Sequence, residues 1–353
     1  MSTRHIAAAA LVAGTLVSVL GCHRKPAPQI SVAPVKVVGS KSATPAPAPL
    51  TNDQVAQFQP NEAGLVPILE YHSIDTVRRP KDPYSRYVDD FKKDLNRLYT
   101  EGYRPISLSE YLNNRITAAL GKSPVVFTFD DARGSQFKYL PDGSIDPNCA
   151  IGVYQEFTRT HPDFPMRGTF YILPRTGFEQ PSDAAKKMQA LLTMGFELGN
   201  HTITHPNLRK LSDEKVRWEI ATCVAEIKRM APSAVVDTLA LPMGISPRKD
   251  KAQNLALLAS GESGGEKYTN RAVLMVGAEP ARCPESPKFD PMRLPRVQAV
   301  EGMSGITFHL DNLKAHPKLR YVSDGDPNTV TIPKSIESRI DKTKLQGANL
   351  RVY

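Results

Sequence analysis

Glycine-rich nucleotide signatures are missing from this sequence. No apolar run is followed by a G-x-G-x-x-G turn, which counts against a nucleotide-binding, doubly wound sheet. Cysteine is scarce, limited to Cys22, Cys149, Cys223 and Cys283, and the spacing fits no zinc ribbon. In an exported protein the last three allow one disulfide and one free thiol, or no disulfide at all. The single tryptophan, Trp218, sits in a helical pattern and reads as core packing rather than a sugar platform. A block of basic residues is also lacking. The formal net charge is +9, yet the excess is dispersed and no RNA- or DNA-binding motif appears, so nucleic acid is not expected as a partner. Nothing in the sequence sets the oligomeric state.

What is present begins with "IAAAALVAGTLVSVLG", an apolar, small-residue run behind Arg4. A basic start, a short apolar core and a small-residue end describe a secretory signal rather than a spanning helix. The stretch "VLGC" (19–22) resembles a bacterial lipobox, with Cys22 as the lipidated residue; Leu20 is bulkier than usual there, and plain secretion is the alternative. This divides the chain into a lipoprotein signal peptide (1–21), a Pro/Ala-rich tether (22–62), a catalytic domain (63–340) and a C-terminal tail (341–353). The tether has no periodicity with which to bury a core and behaves as a semi-rigid spacer. The expected location is the bacterial cell envelope, with a lipid anchoring the protein to a membrane and the domain facing periplasm or exterior.

From residue 65 onward short apolar runs recur: "LVPILEYH", "VVFTFDD", "RGTFYIL", "FELGNHT", "TLALPMG", "RAVLMVG" and "RLPRVQA". Little polar alternation interrupts them, as expected of buried parallel strands. Helical patterns lie between. Val88, Phe91, Leu95 and Leu98 share one face, Gly195 closes a second helix, and Ser212 opens a third. Strand and helix in alternation predict an α/β fold, a distorted (β/α) barrel of about seven parallel strands. In such a barrel the C-terminal strand ends converge on one face, where His72, Asp130, Asp131 and His201 fall.

Two carboxylates at one strand end, Asp130 and Asp131, suit a metal ligand beside a proton acceptor, although a plain turn would also use Asp. "GNHTITHPNL" holds His201 and His205. The β-branched Thr202, Ile203 and Thr204, followed by Pro206, argue against a helix there, and a post-strand loop can aim both imidazoles at one ion. Two histidines and a carboxylate leave coordination positions open for water and substrate.

"TFDD" followed by "NHTITH" resembles the first two motifs of the polysaccharide deacetylases, the NodB-homology carbohydrate esterases. "VPILEYHSI", "RGTFYIL", "LALPMG" and "RYVSDGDPNTVTIP" add similarities, closest to the branch acting on poly-N-acetylglucosamine, over residues 65–333. The resemblance implies hydrolysis of N-acetyl groups from N-acetylglucosamine units of an acetylated glycan, with release of acetate. It implies Asp130 as general base, and Asp131, His201 and His205 as ligands of a divalent metal; two imidazoles and a carboxylate suit Zn2+, with Co2+ or Ni2+ as alternatives.

Departures from the pattern are specific. Ala132 stands where the motif has glycine. "LALPMG" lacks the arginine that orients the base; Arg296 is the expected substitute and Arg293 its competitor. His309, in "GITFHLDNL", is the expected general acid, with His72 and His316 as alternatives. The long segment before Phe164, residues 138–148 in particular, is expected to loop over a substrate groove. A catalytically silent glycan-binding lipoprotein and another metal-dependent acetyl ester hydrolase are the competing readings.

Overall fold

The computed structural model describes residues 50–79 and 81–353. The predicted signal peptide, Cys22 and most of the tether lie outside the described residues. All seven apolar runs contain strands: β1 Ile68–Tyr71, β2 Ser123–Asp130, β3 Thr169–Ile172, β4 Glu197–Asn200, β5 Thr238–Ala240, β6 Ala272–Leu274 and β7 Val297–Gln298. They pair in parallel in the order β6-β5-β4-β3-β2-β1-β7. Tyr103–Pro105 adds a strand beside the first half of β2. The gap between edge strands β6 and β7 is crossed by the segment leading into β7. Met275 N–H donates to Leu294 O at 2.8 Å, and Leu294 N–H to Val273 O at 2.9 Å. The result is the distorted (β/α) barrel expected from the sequence.

Period-two alternation sorts the strand residues. Leu69, Tyr71, Phe127 and Phe129 join the core shared with the helices, while Ile68, Val126 and Tyr171 belong to a second core. The same inward register as Ile68 and Val126 carries Glu70, Thr128 and Asp130. Outside run α1 Val88–Thr100, α2 Ala150–Thr160, α3 Ala184–Met194, α4 Asp213–Met230, α5 Lys251–Leu258 and α6 Ile306–Ala315. Helix α1 buries the predicted stripe of Val88, Phe91, Leu95 and Leu98. Gly195 ends α3 at φ 96°, a left-handed turn suited to glycine. Ser212 caps α4 by accepting the Lys215 N–H.

Several boundaries differ from expectation. Asn52–Phe58, placed in the tether, is a helix held by a Thr51–Gln54 capping box. Residues 341–353 are not a tail: Asn349–Val352 pairs in parallel with Thr329–Ile332, and Leu350 and Val352 pack on the second core. Cys149, Cys223 and Cys283 are buried free thiols. Trp218 packs against the core, with Lys215 Nζ 3.1 Å from its ring centre. Among the described residues no helix is long and apolar enough to cross a membrane.

Candidate active site

At the C-terminal rim of β1, β2, β4 and β5 the chain opens a cavity of about 110 Å³, lined among others by His72, Tyr84, Asp130, Asp131, His201 and His205. The two adjacent aspartates have different surroundings. Asp130, the last residue of β2, points inward and meets Arg296 through paired bonds: Nη1 to Oδ1 and Nη2 to Oδ2, each 2.8 Å. Arg296 is fully buried. Its Nη1 also donates to Thr128 Oγ1 at 3.1 Å and its Nε to Met275 O at 2.7 Å. Burial would raise the Asp130 carboxyl, but the guanidinium holds it below the ordinary value, so it is ionised at neutral pH.

Asp131 follows with φ 78° and turns toward the rim. Arg133 holds Oδ2, at 3.0 Å from Nε and 2.9 Å from Nη2. The other oxygen, Oδ1, faces His201 Nε2 at 3.3 Å and His205 Nε2 at 3.7 Å. His201 Nδ1 donates to Ala240 O at 2.9 Å, which leaves Nε2 as the lone-pair nitrogen. That nitrogen is buried and without a hydrogen-bond partner. One ligand atom from each of Asp131, His201 and His205 falls within 4.8 Å of the others. An orphaned imidazole lone pair, a second imidazole and a free carboxylate oxygen fit a divalent cation.

The loop carrying the histidines is pinned from below. Asn200 Oδ1 accepts Thr202 N–H at 2.8 Å, and its Nδ2 donates to Ile220 O at 2.9 Å. Buried Glu219, on α4, accepts the N–H groups of Ile203 and Thr204 and the Thr204 hydroxyl. Asp131, Ala132, Thr202, His205 and Met243 all adopt positive φ. Strain of this kind, gathered at one rim, is what an over-determined functional site stores. Ala132, at φ 51° and fully buried, shows why glycine would suit its position.

The remaining site expectations divide. His309 is not at this rim. Its apolar run forms α6, so the residue lies on a helix and lines a separate cavity with Glu279 and Arg282. His72 takes the place expected of it, directly after β1, with Nε2 4.0 Å from Asp130 Oδ2. Burial draws its pKa down to about 4. His316 is exposed beyond α6, and Arg293 lines a cavity with Lys251 and Asp290. Residues 138–148 do not border the catalytic cavity. Tyr139 bridges Ile145 in a small hairpin that flanks a separate space of about 590 Å³.

Glu70 and Tyr84 were not legible as site residues. Glu70 lies 3.4 Å from Arg296 Nε and 3.9 Å from His72 Nδ1, and takes the Gly277 N–H at 2.8 Å. Burial, opposed by Arg296, pushes its pKa up to about 7. Tyr84 packs its ring 4.7 Å from that of His72 and remains 41 % exposed at the rim. A carboxylate next to the tyrosine of an apolar strand gave the only sequence signal for Glu70; Tyr84 gave none.

Residues 117–257, which hold Asp130, Asp131, His201 and His205, match the Polysaccharide deacetylase family. The chain carries a polysaccharide deacetylase domain. The chain is 26% identical over 118 residues to a chitooligosaccharide deacetylase of Bradyrhizobium sp. (strain ANU 289), covering 33% of this chain and 50% of that protein. The chain thus spans half the length of that curated relative. The Streptococcus pyogenes deacetylase PplD, solved in complex with acetate, superposes with a TM-score of 0.52 at 20% identity, over 70% of this chain and 97% of that one. A polysaccharide deacetylase of Bacillus cereus gives 0.51 at 15% identity, over 70% of this chain and 69% of that one. At these identities the two structures speak to the fold of the deacetylase domain.

Proposed function

We propose that the protein hydrolyses N-acetyl groups from N-acetylglucosamine units of a cell-envelope or extracellular polysaccharide, releasing acetate. The observation that carries this reading is the division of labour between neighbours: Asp130 clamped by Arg296, Asp131 turned toward two imidazoles. Asp131, His201 and His205 would hold a divalent ion, with zinc favoured by the nitrogen-rich ligand set and cobalt or nickel as alternatives. When bound, the ion supplies Lewis acidity to the acetamide carbonyl and to water.

The chain's own groups do the rest. Asp130 is ionised and fixed by two bonds, so it accepts the proton of the attacking water without reorienting. His72 Nε2, 4.0 Å from Asp130 Oδ2, is placed to pass a proton to the departing amine. Burial keeps His72 neutral at the start of the cycle, so it must first take from Asp130 the proton that Asp130 has removed from water. Asp130 is left ionised again as that proton goes on to the amine. Products are acetate and a glucosamine unit in an uncut chain. Tyr84 offers a ring for the sugar face at the rim.

The arginine on Asp130 and the imidazole of His72 beside it favour catalysis over binding alone. The lipid on Cys22 and the tether, outside the described residues, would hold the domain at a membrane facing periplasm or exterior. The test is acetate release from an N-acetylglucosamine tetramer. The reading requires release that stops with a chelator and with Asp130→Asn; a metal-loaded protein inert on several acetylated glycans would support binding alone.

A further inference from the structure

We propose that the chain has a second saccharide site, for an anionic sugar unit, in the cleft between α6 and residues 279–288. This cleft has a volume of about 570 Å³ and shares no lining residue with the catalytic cavity. Its size is that of a small-ligand site. Arg282, Lys288 and Arg339 line it, and all three side chains are exposed.

Their lack of partners is what points to a ligand. Three neighbouring cations are matched to carboxylates, Lys251 to Asp290 at 2.7 Å, Lys334 to Glu337 at 2.7 Å and Lys342 to Glu337 at 2.9 Å, and Lys344 Nζ is held by the carbonyls of Ser286 and Phe289 at 3.1 and 3.4 Å. Among the described residues, Arg282, Lys288 and Arg339 have no such carboxylate within ion-pair distance. Two of them also stand on fixed backbone. Arg282 is paired to Leu65 in a short antiparallel ladder, and the Lys288 N–H is held by Ser286 Oγ at 3.3 Å. Three cations lining one cleft against a single carboxylate, Glu279, favour a uronate or phosphate group over a neutral glycan.

The other wall has the features of a sugar site. Phe308 leaves its ring 47 % exposed on α6, a platform for the apolar face of a pyranose. Behind it His309 is 93 % buried by its 7 % exposure, and its Nε2 has no hydrogen-bond partner, a group able to meet a hydroxyl or a bridging water. The one carboxylate in the lining, Glu279, would accept sugar hydroxyls rather than face the anion. The site would hold an acidic stretch of polymer independently of turnover at Asp130.

The experiment is titration calorimetry on the full chain with three probes: tetragalacturonate, N-acetylglucosamine 6-phosphate and a neutral N-acetylglucosamine tetramer. At least one anionic saccharide should bind, and the preferred one identifies the anion as carboxylate or phosphate. Arg282→Ser combined with Arg339→Ser should weaken that binding about tenfold or more and leave the neutral tetramer unchanged. Phe308→Ala should weaken the saccharide several-fold while leaving competition by inorganic phosphate intact. All three side chains are exposed, so an unchanged melting temperature is expected and serves as the folding control. Failure of both anionic probes to bind, equal binding by the double variant, or equal loss for the neutral tetramer would overturn the site. A Phe308→Ala protein binding as tightly as wild type would overturn its saccharide character.

Discussion

Arg296 and Asp130, 166 residues apart in sequence, meet through two parallel hydrogen bonds of 2.8 Å in the barrel interior. The arginine enters from the segment that bridges the barrel's edge strands, so closing the barrel and orienting the base are one structural event. Removing the guanidinium leaves Asp130 and Glu70 buried without their shared cation. Arg296→Met should therefore cost roughly 3–5 kcal/mol of stability, as for other broken buried pairs, and abolish acetate release. Urea unfolding checks the first part; a variant as stable as wild type would contradict it.

The proton route separates two histidines. His72→Gln should lower kcat roughly a hundredfold or more, whereas His309→Gln, away from the rim, should leave kcat on a neutral tetramer unchanged. Steady-state kinetics decide between them, and the opposite pattern would return the acid role to α6.

Glu70 predicts a pH signature. Its folded carboxyl is raised from 4.5 to about 7, chiefly by burial. A raised carboxyl binds more protons folded than unfolded, so this group's contribution to stability falls as pH climbs from about 4.5 to 7. Glu70→Gln removes that dependence. In the chelated protein, the variant's stability relative to wild type should improve between about pH 5 and pH 8 by on the order of 2 kcal/mol. A constant difference across the range would show that Glu70 is already ionised at acid pH.

Ala132 makes the mildest prediction. Glycine relieves its left-handed backbone by about 1 kcal/mol but adds comparable freedom to the unfolded chain. Ala132→Gly should keep stability within about 1 kcal/mol of wild type and retain activity. Loss of activity would mean that the buried methyl, not the backbone, positions Asp131.

The sequence showed the barrel because buried parallel strands are short continuous apolar runs, and seven of them alternate with helical patterns. It showed Asp130, Asp131, His201 and His205 through the "TFDD" and "NHTITH" motifs, with strand ends placing Asp130, Asp131 and His201 on one rim. His309 misled because an apolar run before a histidine does not say where the fold carries it, and "GITFHL" enters α6, away from the rim. Glu70, Asn200 and Glu219 were missed for another reason. Their roles come from partners far along the chain, such as Arg296, Ile220 and Thr204, and no local pattern announces a partner of that kind. The closing strand was hidden by its C-terminal shortness, since Leu350 and Val352 signal little until Thr329–Ile332 is beside them.

The most direct test of the central claim is a reconstitution titration: metal-free protein receives zinc in steps while acetate release from an N-acetylglucosamine tetramer is followed. A dependence on Asp131, His201 and His205 predicts no release at the start, a rise that breaks at about one equivalent, and no rise for His201→Gln. Full release by protein verified as metal-free would contradict the account.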